Sequence, residues 1–144
     1  MSKLEANKAI VRRYQEAYNS NHLEMLDDIL AADIKTPGML PGFAPGLEGV
    51  KQLHRITIDA WPDFRGEIED LVAEGDHVVA RLIYTGTPKK EAFGLVPTGK
   101  SFRMPGMFIV RIDAESGKIV EHFGVEDAIG MMQQLGAMPA PGGL

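Results

Sequence analysis

Gly75-Asp-His-Val-Val-Ala-Arg-Leu-Ile-Tyr-Thr-Gly-Thr87 is the stretch on which the fold of this chain turns. From His77 onward it is rich in apolar and β-branched residues, and Gly75-Asp76 in front of it has the chemistry of a hairpin turn. Arg65–Glu74 on the other side of that turn has the same strand character, so the two segments predict an antiparallel pair. Ser101-Phe-Arg-Met-Pro-Gly-Met-Phe-Ile-Val-Arg-Ile-Asp113 and Lys118–Phe123 continue the pattern, with Glu115-Ser116-Gly117 as a second turn. Residues 88–100, which carry several Pro and Gly, form the one long connection among these four strands.

Towards the N-terminus the period changes. Ser2 followed by Glu5 is a capping-box signature, and Ile10, Val11, Tyr14, Ala17 and Tyr18 recur at helical spacing, predicting a helix over 3–19. Asn21 is expected to cap a second helix carrying Leu23, Leu26, Ile29 and Leu30 on one face. Residues 36–46 hold repeated Pro and Gly and exclude a regular element, yet they carry Met39, Leu40 and Phe43 with Leu47 just beyond. Apolar side chains on an irregular loop suggest a flap over a cavity, or a loop that plugs its own core. A third helix is expected over 48–60, stopped by Pro62, and a last one over Asp127–Leu135, closed by Gly136. Helices first and antiparallel strands after predict an α+β fold, with the helices packed on one face of a curved sheet. The organisation expected is a single domain over 1–137 with a flexible tail over 138–144.

Composition narrows the function classes. With 15 Lys and Arg against 20 Asp and Glu, the formal charge of −5 disfavours nucleic acid, whose binding rests on neutralising phosphates. The absence of cysteine excludes disulfides, thiolate metal sites and a cysteine nucleophile, and fits a cytoplasmic protein. Neither a signal-peptide core nor an apolar run long enough for a membrane span is present. Four histidines occur without H-E-x-x-H or H-x-E spacing, and no phosphate-binding glycine loop or G-x-S-x-G elbow appears. No metal and no cofactor is therefore expected, and acid–base chemistry is what remains.

Several segments together resemble the SnoaL-like polyketide cyclases, or predicted ester cyclases, of the nuclear-transport-factor-like superfamily. They are Val11-Arg-Arg-Tyr-Gln-Glu-Ala-Tyr-Asn19, Ala60-Trp-Pro-Asp-Phe64, Gly75-Asp-His-Val-Val-Ala-Arg81, Thr85-Gly-Thr87, Phe93-Gly-Leu-Val-Pro-Thr-Gly-Lys100, Gly117-Lys-Ile-Val-Glu-His122 and Met131-Met-Gln-Gln-Leu-Gly136, in the family's order. The resemblance implies a cone-shaped α+β domain around a deep pocket, commonly a homodimer. It also implies cofactor-free acid–base catalysis on a small molecule, with relatives that are epoxide hydrolases or have no catalysis. Two departures stand out. The family's acid/base aspartate falls at Gly124, two residues after the last-strand histidine, and a second family histidine falls at Phe108.

His122 is then the leading catalytic candidate, matching that last-strand histidine; an imidazole titrates near neutral pH and moves protons in either direction. Asp127 could orient it, or could simply cap the last helix. Tyr14 and Tyr18 lie one turn apart on one helix face and could donate to an oxyanion or serve as packing. Trp61 is expected at the pocket mouth or as a core anchor, and His54 at the edge of the third helix's apolar face. Arg103 is either a pocket cation or a surface residue, since Pro105-Gly106 suggests a bulge that would invert strand faces. Met39, Met104, Met107, Met131 and Met132 are expected near the pocket as a soft lining, with Phe43 and Phe108 as further substrate contacts. Asp59, Arg103 and Asp127 could be set in an epoxide-hydrolase arrangement, but no motif supports that choice. The function expected is a cofactor-independent acid–base enzyme on an apolar small molecule, of the cyclase or isomerase type; the alternative is a non-catalytic binding or dimerisation module.

Overall fold

The computed structural model describes residues 1–139; residues 140–144, which belong to the expected tail, lie outside the described residues. Helix α1 spans Lys3–Asn19, and the Ser2 hydroxyl accepts the Glu5 N–H at 3.1 Å, as the capping signature predicts. The helix buries Val11, Tyr14 and Ala17 on one face. Its C-terminal end is clamped to the sheet by one side chain. Asn19 accepts the Gly66 N–H through Oδ1 and donates to the Gly66 carbonyl through Nδ2, both at 2.9 Å. Two such bonds fix the last turn of α1, and with it Tyr14 and Tyr18, against the neighbouring strand.

The second expected helix is broken into pieces. Asn21 does not cap it: it takes a left-handed φ of 57°, and its side chain is engaged elsewhere. A single 3₁₀ turn over Leu23–Met25 leads into a four-residue helix α2, Leu26–Ile29, and Leu30 already opens strand β1, Leu30–Lys35. Leu26, Ile29 and Leu30 are all almost wholly buried, which is why their spacing reads as a helix face. Ala31-Ala32-Asp33 has little intrinsic β-propensity; pairing with a distant strand makes this segment extended.

Helix α3 runs over Gly46–Ala60, two residues longer at its start than the spacing predicts. Strands β2 (Arg65–Glu74), β3 (His77–Gly86), β4 (Phe102–Ile112) and β5 (Ile119–Glu126) follow, and helix α4 (Ala128–Leu135) ends at left-handed Gly136. The five strands form one sheet in the order β1-β5-β4-β3-β2. Four of them pair antiparallel as expected, but β1 joins the edge parallel to β5, so the sheet is mixed.

The bulge expected at Pro105-Gly106 is absent: β3 and β4 keep register from Gly86↔Phe102 to His77↔Arg111. Pro105 is tolerated because of where its nitrogen points. Its carbonyl accepts the Asp127 N–H at 3.0 Å, so its nitrogen, on the same side of the strand, also faces β5, beyond the last β4–β5 pair, Gly106↔Glu126. The register breaks lie instead between Ile68 and Asp70, between Arg111 and Ile112, and within β1 between Leu30 and Lys35.

Apolar packing gathers in two groups. The larger joins α1, α2, β1 and the sheet around Val11, Leu26, Leu82 and Val110; the smaller joins Trp61, Leu95, Phe102, Met104, Met131 and Leu135. Tyr84 touches both. Its ring has room across the sheet because Gly66 stands opposite it on β2 and Gly106 lies diagonally from it on β4, two residues past its partner Met104. A Cβ at Gly106 would stand 2.7 Å from Tyr84 Cε2, and one at Gly66 would stand 2.9 Å from Cε1. Phe64 stacks on the ring with centroids 5.6 Å apart and planes within 4°.

Candidate active site

Between the two apolar groups lies a cavity of about 550 Å³, the size that encloses a small organic molecule. Its floor is the inner face of β5 and β4. With a side-chain period of two, His122, Gly124 and Glu126 share the β5 face that lines it, beside Phe108 and Met104 of β4. Tyr14 and Tyr18 of α1, His54 and Thr57 of α3 and the limb Thr36–Leu40 of the first long loop complete the walls. Phe93 and Leu95 of the 88–100 connection also line it, held by reciprocal backbone bonds between Ala92 and Leu95.

The titratable side chains form one aromatic cluster. The His122 ring lies 4.9 Å from Phe108 and 5.7 Å from Tyr14, centroid to centroid. Tyr14 meets Tyr18 edge-on at 4.9 Å, and Tyr18 meets His54 at 4.5 Å. His54 Nε2 stands 3.2 Å from Asn21 Oδ1, so a neutral His54 donates there and keeps Nδ1 as an acceptor.

Burial sets the protonation states. Loss of water pushes both His122 and His54 down to about 4. The same desolvation raises Tyr14, with the neighbouring Tyr18 adding to it, and raises Tyr18 to about 12. Near neutral pH the cavity therefore holds two uncharged imidazoles, each with one donor and one acceptor nitrogen, and two phenols that keep their protons. Such a set can take a proton, return it, and donate hydrogen bonds to an oxygen that gains charge.

The sequence-derived candidates divide clearly. His122, Tyr14, Tyr18, Met39, Trp61, Phe108 and Met131 all line the cavity. Trp61 does so while buried, its ring edge-on to Phe93 and Phe102 at 5.4 Å each, so it serves as a core anchor that also forms part of the cavity wall. Met104 and Met132 line it as expected, but Met107 points out of the opposite face of β4.

Three site candidates are corrected. Phe43 is half-buried but away from the cavity, because the chain doubles back at Gly42 and the Ala44 N–H is held by Gln52 Oε1 at 2.9 Å. Arg103 lies on the exposed face of β4, whose alternation is never inverted, and only its backbone is engaged, by the Gln134 amide. Asp127 caps α4, accepting the Gly130 N–H at 2.9 Å, and makes no bond to His122. The epoxide-hydrolase set fails with them, since Asp59 pairs with Lys90 at the surface. Among the described residues no three His, Asp or Glu side chains cluster as a metal ligand set would.

Other site residues escape the sequence reading. Glu126 is exposed, as expected, yet reaches the cavity rim, and His54, expected at the edge of its helix face, is only 2% exposed. Tyr84, Gln15 and Asn19 also reach the wall. The signal for Glu126 and Tyr84 is parity: each stands an even number of residues from an inward side chain on its strand, but β5 runs on to Glu126 where the sequence predicts an end at Phe123.

Similarity to known proteins agrees with this architecture. The family model described as SnoaL-like polyketide cyclase matches residues 8–135. Aklanonic acid methyl ester cyclase AcmA of Streptomyces galilaeus is 32% identical over 134 residues, 89% of each chain. Among solved structures, TsrD of Streptomyces laurentii superposes with a TM-score of 0.85 at 26% identity, over 96% of this chain and 99% of that one. Wild-type IdmH of Streptomyces antibioticus superposes with a TM-score of 0.77 at 34% identity, over 90% and 98%. A family match over nearly the whole described chain, and a relative of this identity and coverage, lead to one conclusion: the chain belongs to the SnoaL-like polyketide cyclase family.

Proposed function

We propose that this protein is a cofactor-independent acid–base enzyme of the cyclase or isomerase type, acting on an apolar small molecule held in the cavity. The observation that carries the reading is the His122 ring on the wall of a largely apolar cavity, with the Tyr14 ring 5.7 Å from it and Tyr18 packed on Tyr14. His122 takes a proton from a carbon next to a carbonyl and returns it to the product. Tyr14 and Tyr18 stabilise the enolate or alkoxide oxygen in between. The named cyclase among the relatives supports this chemistry class. Asp127 has no part in it, and orientation of the His122 ring comes from its packing on Phe108 and Tyr14.

The test is hydrogen–deuterium exchange at the α-carbon of an apolar aryl ketone, 1-tetralone, followed by NMR. Wild-type protein is expected to exchange it above the buffer rate, and His122→Gln to lose about 10²-fold or more of that excess. Equal exchange by the two proteins would defeat the reading.

The partner of the outer sheet face belongs to the same proposal. Met107, Ile109, Phe123 and Val125 are between 38% and 57% exposed and form adjacent cross-strand pairs, Met107↔Val125 and Ile109↔Phe123. A self-complementary apolar patch of this kind suits a two-fold contact with a second copy. Light scattering is expected to give a dimer for the wild type and a monomer for Phe123→Glu; a monomeric wild type refutes the contact.

A further inference from the structure

We propose that Glu126 is a second proton-transfer residue of the cavity, a carboxylate base serving the mouth end of a substrate whose other end meets His122. The inference rests on the acid–base reading above and extends it to a group no motif marks.

Geometry carries it. Glu126 lies on the same face of β5 as His122, four residues further along, and both line the one cavity. At the usual rise per strand residue their Cα atoms are about 13 Å apart, too far to share one proton. Between them Gly124 leaves the floor bare. A Cβ there would meet His122 Cε1 and Phe108 Cβ at an ordinary 3.4 Å, so the backbone does not demand glycine; open floor is what it provides.

At the Glu126 end a second glycine brings two side chains together. The site a Cβ would occupy on Gly106 is 3.2 Å from Glu126 Cβ and 2.7 Å from Tyr84 Cε2, so the carboxylate stem and the phenol ring lean over the same gap. No cation or hydrogen-bond donor among the described residues is paired with the Glu126 carboxylate; burial alone acts on it, raising its affinity for a proton. That leaves a carboxylate exposed on its solvent side, at the rim of a largely apolar cavity and free of a structural partner among the described residues, in position to act as a carbon-acid base.

The geometry points to a substrate class: an elongated apolar molecule of at least two rings, with an acidic C–H beside a carbonyl near the mouth. The step is a balanced proton transfer. Glu126 takes the proton, and the C–H electron pair moves into the carbonyl as an enolate. The resulting carboxylic acid returns the proton, either to the γ-carbon where a conjugated C=C makes the anion a dienolate, or to the alkoxide formed when the enolate carbon attacks a second carbonyl. Nothing is oxidised or reduced.

The test uses 5-nitrobenzisoxazole, a small apolar probe whose ring opens when a base removes its one acidic C–H and the N–O bond breaks to a coloured phenolate. Wild type, Glu126→Gln, His122→Gln and the double variant are compared across pH, with urea melts to establish folding. Glu126→Gln is expected to lose about 10-fold or more of the rate. The ionisation above the ordinary carboxylate range should vanish from its pH profile. An unchanged rate in Glu126→Gln overturns the proposal, and if His122→Gln alone falls, the His122 reading survives without it. A loss in Glu126→Gln with none in His122→Gln sustains Glu126 and removes His122 as the base. A wild type no faster than buffer removes both.

Discussion

Replacing His122 by Gln tests whether the cavity is dry around the imidazole, and the size of the effect follows from the structure. Folding pushes this group from 6.5 down to about 4 by removing water from around it. Above pH 7.5 the ring is neutral in both the folded and the unfolded chain, so it contributes nothing to the pH dependence. As pH falls below 6.5 the unfolded chain gains a proton that the folded protein refuses, and stability drains away until the pH is below about 4, where both states are protonated. The whole interval is worth about 3 kcal/mol, and about 2 kcal/mol of it is lost by pH 5.

Gln at position 122 is neutral throughout and escapes this loss. His54 is shifted in the same direction, and Asp76 and Asp113 are held low by Lys3 and Ser116, but all three titrate identically in wild type and variant and cancel in the comparison. Equilibrium urea unfolding at pH 7.5 and pH 5 is the assay. The wild type is expected to lose about 2 kcal/mol more than His122→Gln, a difference of roughly 1 M in midpoint. Parallel losses in the two proteins would mean that water or a counter-charge already solvates the ring in the folded state. The neutral-imidazole argument would then be wrong.

Three further outcomes follow from single contacts. Asp127→Ala removes the α4 cap and is expected to cost about 1 kcal/mol in urea unfolding, while 1-tetralone exchange stays at the wild-type rate. Gly106→Ala forces a Cβ to 2.7 Å from the Tyr84 ring and is expected to cost about 1–3 kcal/mol, read as a lower melting temperature. Tyr14→Phe keeps the ring packing on Phe108 and His122 but removes a hydroxyl; kcat for the exchange should drop about 10²-fold with KM nearly unchanged.

What was legible in the sequence was whatever local physics decides. Ser2 and Glu5 announce α1, and Gly136 marks the end of α4. The alternation from Phe102 to Ile112 survives in the structure without a slip. Strand β1 was illegible because its extended state depends on parallel pairing with residues about ninety positions away, as Leu30↔Ile119 illustrates. Its own Ala-Ala-Asp centre argues for nothing, and the buried leucines around it suit a helix equally well. The bulge at Pro105-Gly106 was misread for a related reason. The rule that proline interrupts a ladder assumes a neighbour on the side to which the nitrogen points, and β5 has ended there.

The site divides along the same line. His122, Tyr14 and Tyr18 were recoverable because parity and helical spacing place a side chain on a face, and the fold class says which face is hollow. Asp127 and Arg103 were not, because proximity along the chain does not determine what a side chain bonds to. Asp127 is spent on Gly130, and Arg103 faces outward with its strand. Glu126 is the converse case. Gly124 reads as the loss of an acid if only that position is considered, but a strand repeats its inner face every second residue. Three more residues of β5 than the sequence predicts carry a carboxylate back onto the cavity wall. The glycine at 124 is then better understood together with Glu126: one position gives up its side chain, the next on that face supplies the charge, and the floor between His122 and Glu126 is left open for the substrate.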